Sequence, residues 1–179
     1  MSIKNDNYDV NKAIELGDGI INGQACNAVR ECRYGLFPMS YNGCEIIAIY
    51  NLRVLLGKKA ELADIAKEVY PYGNVLMGLF GTFPSAPATY FKKHKLPMKT
   101  MKNYNFFIKG LEKGKKGVVS YWTKGKCRSS IHTVAVEIDG EELRVYNLDP
   151  EKDDVCCFES FRKFIKPENF IVGYYLDEE

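Results

Sequence analysis

The feature that most constrains this chain is a change of hydrophobic period near Gly117. Before that point apolar residues recur at helical spacing. Ile47, Tyr50 or Asn51, and Val54 form one i, i+3/i+4, i+7 set, and Ala48, Leu52 and Leu55 form an adjoining one. A helix starting near Glu45 and apolar around most of its girth belongs in an interior. Gly57 followed by Lys58 and Lys59 supplies its stop, through a residue tolerant of positive φ and charges that complement the dipole. A second helix is expected over about Ala60 to Val69, where Leu62, Ile65, Ala66 and Val69 share a face. A third is expected in "APATYFKKH", with Ser85 as its cap, and a short fourth in "NYNFFIKGLEKGK". After Gly117 the period drops to that of a strand in "GVVSYWT", "HTVAVEID", "ELRVYNL" and "NFIVGYYLD", with a helix expected at "FESFRKFIK".

Helices crowd one half and strands the other, which predicts an α+β domain whose antiparallel sheet packs against a helical layer. The expected organisation is one domain over 1–179: an irregular lead-in to 40 with a short helix around Asn11 to Leu16, a mainly helical part over 41–115, and a mainly β part over 116–179. The Gly- and Pro-rich "YPYGNVLMGLFGTFPSAP" reads as a loop with apolar side chains that walls a cleft.

Composition excludes several function classes. With 46% hydrophobic and 27% charged residues, the balance is that of a globular domain. Lys and Arg number 25 against 23 acidic residues, and scattered short clusters leave no basic stripe for nucleic acid. No apolar run has the length of a membrane span, and the first residues lack a secretory pattern, so a cytoplasmic location is expected. Six cysteines without a Cys-x-x-Cys and two histidines predict reduced thiols, no metal site and no cofactor.

Two residues are candidates for the chemistry, although each also has an ordinary reading, Cys44 as a small buried hydrophobe in a turn and His132 as a satisfied surface or core residue. Cys44 follows Asn42-Gly43 and heads the buried helix, where the free first-turn amides and the positive end of the dipole favour a thiolate. His132 opens the strand "HTVAVEID" and can serve a thiol as its base, whereas His94 sits among lysines at a helix end. A hairpin turn at Asp139-Gly140 of type I′ pairs Ile138 with Glu141 and sets His132 opposite Asn147. A loop spanning Asp139 to Glu142 instead pairs Ile138 with Leu143 and sets His132 opposite Asp149. Turn chemistry favours Asn147, and apolar cross-strand matching favours Asp149.

The order of a Cys heading a buried helix, a His opening a strand, and an Asn or Asp at the end of the next strand resembles the papain-like cysteine peptidases. "NGCEIIAIYNLRVLLG" and "IHTVAVEIDGEELRVYNLDP" resemble most the C39-like, bacterial branch, over about residues 40 to 150. That resemblance implies a papain-like fold with Cys44 as nucleophile, His132 as general base and then acid, and Asn147 or Asp149 orienting the imidazole. It implies hydrolysis of a peptide or amide bond through a thioester, on a peptide or protein substrate. The glutamine such enzymes place shortly before the nucleophile is missing, leaving Asn42, or Gln24 if the lead-in folds back, as the oxyanion-hole donor. Glu45 stands where that group often has glycine, and a carboxylate there opposes thiolate formation. Two other uses fit the same residues: a weak or inactive peptide-binding or regulatory protein, and acyl transfer to an amine. Trp122 on the preceding strand either shields the histidine or fills the core, and Cys127 lies in the loop before His132.

Overall fold

The computed structural model of the protein describes residues 2–124 and 129–177; Cys127 lies outside them. In chain order the elements are α1 (Ile3–Lys12), β1 (Arg33–Tyr34), β2 (Phe37–Pro38), α2 (Met39–Asn42), α3 (Cys44–Leu55), α4 (Leu62–Gly73), α5 (Ala86–Lys93) and β3 (Met98–Met101). They continue as α6 (Tyr104–Gly114), β4 (Lys116–Lys124), β5 (Ser129–Asp139), β6 (Glu142–Tyr146), β7 (Cys156–Phe158), α7 (Phe161–Phe164) and β8 (Phe170–Leu176). Six strands form one antiparallel sheet in the order β3-β8-β4-β5-β6-β7.

The apolar girth of α3 is used in full, with every residue from Cys44 to Leu52 buried. One face of the sheet, through Val118, Val172 and Tyr174, joins α3, α4 and α5 in a single core. Alternation sends Val119, Val134, Val136, Leu143 and Val145 to the other face, where α6 and Phe161 cover them. The helical layer expected on one side is therefore two layers, because α6 crosses from the helical half to the back of the sheet. Its approach to β8 is close: a Cβ on Gly114 would stand 1.8 Å from the Leu176 carbonyl oxygen. Gly114→Ala is expected to destabilise by about 1–3 kcal/mol, seen as a lower urea midpoint, since the blocking atom is backbone that cannot rotate away.

The lead-in departs from expectation. Its helix is α1, ending at Lys12, not one over Asn11 to Leu16. Buried Asn11 docks it, donating to the Arg33 carbonyl at 2.9 Å and accepting the Arg33 N–H at 2.7 Å. Side-chain amides, not an apolar stripe, fix this segment, so no period announces it. Asn51 of α3 clasps Ile21 in the same way, with both hydrogen bonds at 2.8 Å. Helix α4 runs past Val69 through Pro71 to Gly73, and Ser85 stands before α5 without a side-chain capping bond. Asn103 does cap α6, accepting from the Phe106 N–H at 3.1 Å.

The β5–β6 register is the second of the two that the sequence allows, not the one that turn chemistry favours. Ile138 pairs with Leu143 and Asp139 with Glu142, so the turn is Gly140-Glu141, not Asp139-Gly140. Type I′ would force positive φ on Asp139, whereas Gly140 alone takes it here, at +62°, as a II′ turn allows. That register aims His132 toward Asp149, but the ladder stops at Ala135 and Tyr146 before reaching either.

Candidate active site

Cys44 is the first residue of α3, following the short α2 and Gly43. A Cβ on Gly43 would lie 2.7 Å from the Met39 carbonyl oxygen, so the chain can enter the helix this tightly only with glycine there. The Cys44 thiol donates to Oε2 of Glu45 at 2.9 Å. Oε1 of Glu45 accepts from the Thr133 hydroxyl at 3.1 Å, and that hydroxyl pairs with Ser120 at 2.8 Å. All four side chains are buried. Burial raises the thiol well above its ordinary pKa, and the neighbouring Glu45 charge adds to this; backbone hydrogen bonds from Thr133 and Glu45 to the sulfur oppose it. Burial likewise pushes Glu45 up to about 7. The sulfur is thus a thiol at rest, not the helix-end thiolate that position alone suggests.

His132 lies one residue from Thr133, whose backbone meets that sulfur. Its Nε2 is 2.7 Å from the Asn147 carbonyl oxygen. A carbonyl only accepts, so Nε2 carries the proton in the neutral ring and Nδ1 is left as the bare, basic nitrogen. Burial lowers the His132 pKa, against the backbone bonds to Asn147 and Leu148 that raise it. Tyr121 packs edge-on to the ring at 6.0 Å and lies within electrostatic reach of Cys44.

Asn147 serves His132 through its main chain, not its carboxamide. Its φ of +61° ends β6 and turns the carbonyl toward the imidazole, a conformation asparagine tolerates. The carboxamide is spent on the lead-in: Oδ1 accepts from the Gln24 N–H at 2.9 Å, and Nδ2 donates to Gln24 Oε1 at 3.0 Å. The Asn147 N–H in turn reaches Asn22 Oδ1 at 2.8 Å.

The remaining candidates sit elsewhere. Asp149 accepts from the Glu151 N–H at 3.0 Å and pairs with Lys152 at 3.4 Å. These contacts, the Glu151 bond first, hold its carboxyl below the ordinary range, and the side chain is committed to a turn at the surface. Asn42 commits its amide to the carbonyls of Tyr34 at 2.8 Å and Gly78 at 2.9 Å, so it anchors the loop after α4 and is not free to hold an oxyanion. Gln24 does fold back, and its amide donates to the Ser40 carbonyl at 2.9 Å. Trp122 is 46% exposed and so is not a core aromatic. Thr133 and Ser120 went unmarked by the sequence; their signal was two hydroxyl residues interrupting the apolar alternation of adjacent strands.

No family model and no curated protein matches the chain. Among solved structures it is similar to the peptidase domain of Streptococcus ComA, a bi-functional ABC transporter involved in a quorum sensing pathway. The likeness covers 76% of this chain and 91% of that one, with a TM-score of 0.55 at 15% sequence identity. No helix among the described residues is long and apolar enough to cross a membrane. The buried cysteine-headed helix laid against an antiparallel sheet makes an α+β, papain-like fold, similar to that of the ComA peptidase domain.

Proposed function

We propose that this protein is a thiol hydrolase that cleaves a peptide or amide bond, with Cys44 as nucleophile and His132 as the acid–base group for the carbonyl and its leaving nitrogen. One observation carries the reading: the sulfur at the head of α3 meets the Thr133 backbone, one residue from a histidine whose Nε2 is fixed by the Asn147 carbonyl. A fixed tautomer with basic Nδ1 is what proton transfer at an acyl centre requires. Attack by sulfur gives a thioester, and water releases the acid. Release to an amine would be acyl transfer through the same groups. Incubating the protein with a mixed-sequence peptide pool should produce new peptide termini and an acyl adduct on Cys44, both read by mass spectrometry. A pool left intact, with no adduct, sinks the reading.

A second reading, a peptide-binding protein without turnover, is favoured by the carboxylate beside the sulfur and by the loop after α4. There Leu76 is 66%, Met77 53% and Phe83 50% exposed, more apolar surface than a loop presents by default. Binding of one peptide equally by wild type and Cys44→Ala, with neither cleaving it, would select this reading.

A further inference from the structure

We propose that Glu45 is the group that takes the proton from Cys44. The S–H bond breaks onto Oε2 of the adjacent carboxylate as the sulfur electron pair attacks its electrophile. For peptide cleavage the inference rests on Cys44 being the nucleophile; as chemistry of the pair it stands alone.

The thiol proton already points at an acceptor. Sγ lies 2.9 Å from Oε2. Among the described residues its side-chain hydrogen-bond partner is Glu45, and no hydrogen bond joins it to His132, whose Nε2 is held by the Asn147 carbonyl and whose basic Nδ1 is kept for the leaving nitrogen. Glu45 is 2% exposed, and what supports its charge is the Cys44 thiol, its own backbone N–H and the Thr133 hydroxyl. A buried carboxylate met by a thiol and a hydroxyl binds a proton more readily than one met by a guanidinium or ammonium group. Its affinity, raised to about 7, suits a base working near neutrality.

The groups facing the pair are known. On its own helix there are only Cys44 and Glu45 themselves. From β5 come Thr133 and, next to it in sequence, His132; from β4, Ser120 behind Thr133, and Tyr121 within electrostatic reach of the sulfur. Tyr174 of β8 and Tyr34 of β1 lie within electrostatic reach of Glu45. Burial raises all three phenols, so they stay neutral across the range in which the carboxyl titrates.

Proton accounting makes this testable. Once the pair has lost its first proton, near pH 7, it holds one proton that rests mainly on sulfur. A minor tautomer places that proton on Oε2 and exposes a thiolate, and its share does not change with pH until the sulfur itself titrates far up the alkaline range. Reactivity of Cys44 should therefore rise to about pH 7 and then level off. A lone thiol would instead gain about tenfold per pH unit over the same interval. If His132 were the acceptor, the inflection would fall at or below about pH 6.5.

The measurement is the rate of iodoacetamide labelling of Cys44 in the full chain, read by peptide mass spectrometry from about pH 5 to about pH 9. Wild type should inflect near 7, His132→Ala should keep that inflection, and Glu45→Gln should lose it for a continuous tenfold-per-unit rise. A wild-type profile without it, its survival in Glu45→Gln, or its loss in His132→Ala overturns the proposal. Should Glu45→Gln not fold, Thr133→Val decides. Removing the hydroxyl that favours the charged carboxylate must move the inflection to higher pH, while Thr133→Ser leaves it in place. An unmoved inflection in Thr133→Val counts against the proposal. A protein that behaves as expected here but cleaves no peptide refutes only the hydrolase reading. One that cleaves peptides with a profile lost in His132→Ala refutes only the Glu45 assignment.

Discussion

Cys44→Ala is expected to abolish turnover of any peptide the wild-type protein cleaves, a loss on the order of 10⁴- to 10⁶-fold. Two of the other described cysteines are placed away from such a role. Cys32 is buried, with its thiol pushed up to about 11 by burial, and Cys26 contacts the Pro150 carbonyl on the lead-in side. The alanine variant should still fold, at some cost: Oε2 of buried Glu45 loses the thiol donor at 2.9 Å, and an orphaned buried acceptor costs about 1–3 kcal/mol. Cys44→Ser separates chemistry from packing, because its hydroxyl can still donate to Glu45 while being a far weaker nucleophile. The serine variant should unfold near the wild-type urea midpoint yet be as inactive as alanine. Measurable cleavage by Cys44→Ala would remove the sulfur from the mechanism.

Phe107→Ala is expected to cost about 3–5 kcal/mol, which for a domain with a total near 5–15 kcal/mol brings it close to unfolding at 25 °C. Phe107 of α6 is fully buried, with its ring centroid 5.2 Å from Phe161, 5.4 Å from Phe170 and 6.5 Å from Tyr175. It also covers Gly173, where a Cβ would stand 2.3 Å from the ring. Deleting the phenyl group leaves a void bounded by a glycine and by rings already anchored to α7 and β8, so little can relax into it. Urea denaturation should show the midpoint fall at a nearly unchanged slope. A loss under about 1 kcal/mol would mean that the aromatic layer behind the sheet repacks.

How much of this could be read in the sequence depends on what fixes each part. Helix α3 and strands β4, β5 and β8 were legible because burial imposes a period, and a wrong residue would put polarity in the core. Edge strands β3 and β7 were not, since their residues are only partly buried or exposed and carry no alternation. The β5–β6 register turned on which loop position Gly140 would take, a choice that face alternation leaves free. The fate of Asn42 depended on carbonyls 8 and 36 residues away, and that of Asn147 on a lead-in 123 residues away; local chemistry contains neither. Cys44 could be named from its helix start alone; His132, read as opening a strand, stands inside β5, which begins at Ser129. That the imidazole is held by a main-chain carbonyl, and the thiol by Glu45, required the three-dimensional neighbours.

The clasp between Gln24 and Asn147 bears on when the site comes into being during folding. Its hydrogen bonds close a loop of 123 residues, whereas the β5–β6 hairpin closes across two. Long closures are entropically late events. Helix α3 and the central strands can therefore assemble with Cys44 already seated and Asn147 within 15 residues of His132, while the clasp that pins Asn147 forms only when the N-terminal strap docks. Weakening that strap should leave the folding rate almost untouched and appear mainly as faster unfolding.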